Sequence, residues 1–287
     1  MTSEMQHKGQ AVAGLSGGVW GNLPVKNWAV GLGGQFRFQS ATGMEMEDDG
    51  TAWADGVYGK GMISEQGAGS TIVVAQDVTK SHNATVIQLT NDGGDGDDCS
   101  LATRWSVINI ASGAGRWAYE ARIKPSSIAD NQTSLFVGLT GTTLAGDSTL
   151  SATDLTDSNI CGFFVDEADG DDVRAVLNDA TGTSSAGLAN MDSVSADNKY
   201  VLNSADFYNV GAVYDGSRIK FYISGIKSGE TVAKSVLLHS VGEGETGFPG
   251  TTDMDMFFEM STEAGVGGAA SNLGIEWFAY GQEFIDF

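Results

Sequence analysis

Carboxylates at alternate positions of a strand project to one face, and that face can carry the acid and the nucleophile that a glycosidic bond needs around it. Asp253, Asp255 and Glu259 come nearest to such a row, opposite Met254, Met256, Phe258 and Met260. Phe257 interrupts it, so a solvated strand face is expected and no catalytic residue is assigned. Gly14-Leu15-Ser16-Gly17-Gly18 satisfies the Gly-x-Ser-x-Gly pattern of a nucleophile elbow, which requires a strand before it, a helix after it, and a histidine and an acid elsewhere. The following Val19-Trp20-Gly21-Asn22-Leu23-Pro24 predicts no helix, and the histidines are only His7, His82 and His239. Gly242-Glu243-Gly244-Glu245-Thr246-Gly247 fits Gly-x-Gly-x-x-Gly. A phosphate site would need a helix N-terminus next, whereas Phe248-Pro249-Gly250 follows and two glutamates would repel the anion, so a loop is expected.

Two acidic stretches raise calcium, whose ligands are hard oxygens. Gly93-Gly94-Asp95-Gly96-Asp97-Asp98 matches the start of a calcium β-helix repeat, but once only, with Ser100 where an apolar residue belongs. Asp166, Glu167, Asp169, Asp171 and Asp172 lack EF-hand spacing. Both are expected to be solvated acidic turns. No Cys or His pair has zinc-ligand spacing, and no metal or other cofactor is assigned. Cys99 and Cys161 cannot form a disulfide framework and are expected as reduced, packed thiols.

The elements that must carry these residues read as β-structure. The chain has 287 residues, with 15 basic and 37 acidic side chains and a net charge of −22, which disfavours phosphate-contacting nucleic-acid binders and anionic membranes. Hydrophobic residues make up 41% and charged ones 18%, enough for a real core. Glycine occurs 40 times and proline three times without a collagen period, as expected of many tight turns. No run reaches the roughly 20 apolar residues of a membrane span. Met1 to Gln10 lacks the basic and apolar regions of a signal peptide.

From about residue 84 strand patterns recur. Trp117, Tyr119, Ala121 and Ile123 alternate with Ala118, Glu120, Arg122 and Lys124, and Pro125 ends the segment. Leu135 to Leu139 and Ile160 to Val165 are continuous apolar runs, suited to central strands. Phe207 to Tyr214 and Arg218 to Ile223 flank Asp215-Gly216-Ser217, a hairpin signal. Leu273, Ile275 and Trp277 are placed on one face. An antiparallel two-sheet sandwich is expected over residues 81–287, burying Trp117, Phe136, Phe164, Val213, Phe221, Phe258 and Trp277. Residues 1–80 are glycine-rich and read as an extended N-terminal arm. Such an arm would order by laying Trp20, Leu23, Trp28, Leu32, Phe36 and Phe38 on a partner.

The set Arg116-Trp117-Ala118-Tyr119-Glu120-Ala121-Arg122-Ile123, Phe136-Val137-Gly138-Leu139-Thr140, Cys161 to Asp166, Asn209 to Gly216, Ile219 to Gly225 and Leu273 to Phe278 resembles the concanavalin A-like, laminin-G-like jelly rolls. The order is similar to that in uncharacterised virion proteins of tailed bacteriophages. Jelly-roll glycosidases carry Glu-x-Asp-x-Glu on one strand, a string this chain lacks. The resemblance therefore implies a non-enzymatic decoration or cement protein on the surface of a phage head, made in the host cytoplasm. Its partners would be the major capsid protein and neighbouring copies of itself, not nucleic acid or membrane. The alternative is a lectin-like module that binds a glycan on a host surface.

Overall fold

The computed structural model describes residues 15–41, 61–77 except 68, 84–126 except 95–96 and 111–114, 133–141, 150–151, 154–155, 159–165, 172–178, 200–245 except 205, 248, 255–264 and 272–284. The elements begin with two one-turn helices, α1 (Gly17–Trp20) and α2 (Val25–Ala29), followed by β1 (Gly34–Ser40), β2 (Met62–Gln66), β3 (Thr71–Asp77), β4 (Ala84–Thr90), β5 (Asp98–Thr103) and β6 (Ile108–Asn109). Next come β7 (Trp117–Pro125), β8 (Thr133–Thr140), β9 (Leu150–Ser151), β10 (Asp154–Leu155), β11 (Ile160–Val165), β12 (Asp172–Asn178) and β13 (Tyr200–Val201). The last are β14 (Tyr208–Tyr214), β15 (Arg218–Gly225), β16 (Lys234–Gly242), β17 (Asp255–Ala264) and β18 (Asn272–Glu283).

These strands make two antiparallel sheets. The first runs β16-β15-β14-β7-β18-β4-β3, with β1 on the far half of β18; the second runs β13-β12-β11-β8-β17-β5-β2, with β6 on β17. The alternation in β7 is realised: Trp117, Tyr119, Ala121 and Ile123 enter the core between the sheets, where Tyr119 meets Phe258 at 5.3 Å between ring centroids. Phe163 of the second sheet meets Phe221 of the first edge-on at 5.7 Å. The β14–β15 hairpin turns at Gly216, with φ of 100°, and Asp215 Oδ1 accepts hydrogen bonds from the backbone amides of Ser217 and Arg218. That left-handed residue and its acidic neighbour are what an Asp-Gly turn supplies. Cys99 and Cys161 are buried free thiols.

All seven residues expected to be buried are so, but four of them, Phe136, Phe164, Val213 and Trp277, lie outside the inter-sheet core. Phe136 and Phe164 pack on the outer face of the second sheet with Leu155, Ile160 and Val176. The register of β18 slips between Ile275 and Trp277, leaving Glu276 as a bulge. An extra residue flips every later side chain to the other face. Leu273 and Ile275 therefore enter the inter-sheet core, while Trp277 leaves that face and packs against Phe38 at 5.7 Å.

Residues 1–80 do not form a separate arm where they are described. β1 pairs with β18 from Gly34↔Glu283 to Ser40↔Trp277, β2 pairs with β5, and β3 pairs with β4. A boundary at residue 80 would cut three strands from the two sheets. The premise that a glycine-rich segment has no core of its own holds, since the segment takes its core from the outer face of the first sheet. Trp20, Leu23 and Trp28 are buried there with Val19 against Ala118, Val213 and Ala279. Phe36 is partly buried beside Trp20 in an edge-to-face contact of 5.4 Å, whereas Leu32 and Phe38 are exposed. Room for Trp28 comes from two glycines: a Cβ on Gly34 would lie 2.3 Å from the indole, and one on Gly281 would lie 3.1 Å from it.

Candidate functional site

Alternation sends Glu120 and Arg122 of β7 to the outer face of the first sheet, where the N-terminal segment covers one part and leaves another open. Beneath the cover, Glu120 is buried, and Gly211 opposite it on β14 leaves room for its stem, since a Cβ there would lie 3.0 Å from it. Glu120 Oε2 accepts from the Ser16 backbone amide at 3.0 Å and from Trp20 Nε1 at 2.7 Å. Glu120 Oε1 accepts from the same amide at 3.3 Å and from Asn209 Nδ2 at 3.2 Å. Burial raises its pKa to about 7, against the lowering by those donors.

Asn209 passes the order outward. Its Oδ1 accepts from Arg122 Nη1 at 3.0 Å, and Arg122 Nε donates to Glu276 Oε2 at 2.6 Å. The bulge is what lets Glu276 reach Arg122. Beyond them opens a groove of about 320 Å³ lined by Arg122, Asp206, Phe207, Asn209, Ser224 and the Gly225–Ile226 turn, with Ala233 at its edge. Phe207 is its buried floor, with Val86 and Ala75 packed against it. The Arg122 guanidinium lies 5.0 Å from the centre of the Phe207 ring, and Lys124 Nζ lies 5.8 Å from it. Gly225 is required, because a Cβ there would stand 2.4 Å from the Tyr208 ring.

A guanidinium carries five N–H donors, and among the described residues Arg122 Nη2 makes no hydrogen bond. A groove with an aromatic floor, an anchored guanidinium, an amide, a carboxylate and a hydroxyl can hold a ligand that alternates C–H faces with hydroxyl groups.

The residues singled out in the sequence fall elsewhere. Ser16 is the N-cap of α1, so the segment after it does begin with a helical turn; its hydroxyl accepts from the Val19 amide, a capping bond. Gly242 ends β16 and Gly244 turns with φ of 80°, in the loop that was expected. Asp253 and Met254 lie outside the described residues, as do Asp95 and Asp166 to Asp171. Glu259 is not solvated: it is fully buried, and alternation sets it in a row with buried Ser261 and Glu263 on the outer face of the second sheet. Sequence reasoning missed that row because it searched toward Asp253. It also missed Phe207 and Asn209, whose only signal was a polar residue opening an otherwise apolar strand.

No family model matches the chain, and no curated protein matches it. Solved structures share its architecture. Peanut lectin is similar at 12% identity over 88% of this chain and 99% of its own, with a TM-score of 0.50. A protein of unknown function from Shewanella oneidensis MR-1 is similar at 10% identity over 88% of this chain and 87% of its own, with a TM-score of 0.51. The fold is a concanavalin A-like jelly roll.

Proposed function

We propose that this protein is a lectin-like glycan-binding module and that the groove floored by Phe207 is its site. The supporting observation is the convergence of Arg122, Asn209, Ser224 and Asp206 around an aromatic floor on a sandwich shared with a lectin. A pyranose presents a C–H face to the ring while its hydroxyls meet the fixed donors and acceptors. A glycan array followed by calorimetric titration tests this. Ala233 is exposed at the groove's edge, so Ala233→Trp should fill the groove, weaken binding at least tenfold and leave the melting temperature unchanged. An array without a bound glycan, or full affinity in the variant, would overturn the reading.

The second reading is a decoration protein on a phage head, with the capsid shell and neighbouring copies as partners. It is favoured by the exposed side chains of Val30, Leu32, Phe38 and Phe284, around the junction of α2, β1 and the end of β18. The Phe284 amide donates to the Gly33 carbonyl there. Leu32→Asp with Phe38→Asp should then release the protein from sedimenting capsids. Unaltered sedimentation would remove this reading.

A further inference from the structure

Glu120 joins the N-terminal cover to the groove through a single amide. Four groups face its carboxylate: the Ser16 amide, the Ser16 hydroxyl, Trp20 Nε1 and Asn209 Nδ2. A carboxylate accepts from all four, whereas a carboxylic acid has an O–H that needs an acceptor. The longer bonds are those at Oε1, so the proton belongs there, facing Asn209. The Ser16 hydroxyl already accepts from the Val19 amide as the cap of α1, and of the donors bonded to Oε1, the Ser16 amide and Asn209 Nδ2, only Asn209 can turn into an acceptor, by rotating its amide half a turn. Rotation presents Oδ1 to the new O–H and swings Nδ2 against Arg122 Nη1, donor against donor, which breaks the 3.0 Å bond. Arg122 is then held by Glu276 alone.

We propose that Glu120 is a positioning residue of the groove: as a carboxylate it orients Asn209 to fix Arg122, and taking up a proton from solvent turns Asn209 over and frees Arg122 in the groove wall. Resting on the groove as the glycan site, the consequence is weaker binding in acid, because an anchored guanidinium loses less freedom on binding than a loose one.

The titration falls near neutrality because burial raises the Glu120 pKa to about 7. The charged and titratable groups around Glu120 are few. Its own strand brings Arg122 and Lys124, and β18 brings Glu276, bonded to Arg122. From β15 come Tyr222, against Gly18, and Lys220, bonded to Asp215. β1 brings Arg37, which acts on Tyr280, and α2 brings Lys26. α1 and β14 add none beyond the inward tyrosines of β14.

Nuclear magnetic resonance on the full chain tests this without ligand, by following the Trp20 indole, the Asn209 side-chain amide and the Arg122 guanidinium from pH 5.5 to 8.5. All three should titrate together with a midpoint of about 7 and stay flat in Glu120→Gln. In Asn209→Leu, Trp20 should titrate while Arg122 does not. Titration of the glycan selected by the array should give a Kd about tenfold higher at pH 6 than at pH 8, and a weak, pH-independent Kd in Glu120→Gln. Invariant resonances in the wild type overturn the proposal, as does an Arg122 signal that still titrates in Asn209→Leu. Resonances that titrate together when no glycan binds sustain the switch and refute the glycan reading. A glycan bound equally at both pH values, with Arg122 titrating, refutes the coupling to affinity.

Discussion

On the outer face of the first sheet a buried carboxylate, Glu120, has both oxygens engaged by donors from a segment about a hundred residues away and from the neighbouring strand. On the outer face of the second sheet the row Glu259, Ser261 and Glu263 is as deeply buried, yet among the described residues the hydroxyls of Ser261 and of its cross-strand partner Ser100 make no hydrogen bond. Glu120 meets the rule that buried polar groups are partnered, with Trp28 Nε1 under the same cover as an exception among the described residues, and the second row leaves two exceptions in its hydroxyls. The difference lies in what covers each face. The first sheet is covered by a segment that brings its own N–H groups, whereas the described cover of the second includes the apolar Leu155 of β10, packed with Phe136, Ile160, Phe164 and Val176 of the sheet itself.

The largest test of this contrast is the removal of the first cover. Trp20→Ala discards both a buried indole and a donor to Glu120, and should cost about 3–5 kcal/mol, the usual range for a buried Trp→Ala change, read by urea denaturation. Truncation before Gly34 should cost more and expose Ala118, Val213 and Ala279. A truncated chain with an unchanged melting transition would show that the segment is a detachable arm after all.

A middle-sized effect is the pH dependence set by Glu120. Its folded pKa of about 7 lies above the ordinary 4.5, so the folded state binds the proton more tightly than the unfolded one. The contribution to stability is therefore complete below pH 4.5 and is lost as pH rises through about 7. For a group this buried the loss is on the order of 3 kcal/mol. Urea denaturation at pH 5 and pH 8 should show it in the wild type, and Glu120→Gln should remove this component of the slope. Equal slopes in the two proteins would mean that Glu120 titrates as it does in water.

The smallest effect sharpens the other side. Because the Ser261 and Ser100 hydroxyls are buried without partners among the described residues, Ser261→Ala and Ser100→Ala should be neutral or stabilising by up to about 1 kcal/mol. A loss of about 2 kcal/mol or more would show that each hydroxyl has a partner.

Periodicity reads local geometry, and there the sequence was legible. The alternation of β7 and the Asp215-Gly216 hairpin are each set by a few neighbouring residues, and both appear as expected. What failed depended on distant partners. Nothing near Glu276 announces a bulge, since the slip is a property of its pairing with β7, yet it moves Trp277 across the sheet and brings a carboxylate to Arg122. The glycines near Trp20 and Trp28 signalled that the segment needs something to lie on, but not that the surface would be Ala118, Val213 and Ala279 of the same chain. The groove was hidden for the same reason: Arg122 and Asn209 meet across 87 residues of sequence.

The place of β18 in the first sheet governs when the molecule can assemble. It is bonded to β7 along one edge and to β4 and β1 along the other. During synthesis β18, which follows every other described strand, is thus the joint between the β16-β15-β14-β7 half and the strands made first. Trp28 and Phe36, which lie against and beside that joint, must wait with their rings in water until β18 has been made. Such long-range closure makes folding slow and leaves the nascent chain sticky. Until β18 arrives, the apolar rings of that early segment stay open to non-native association.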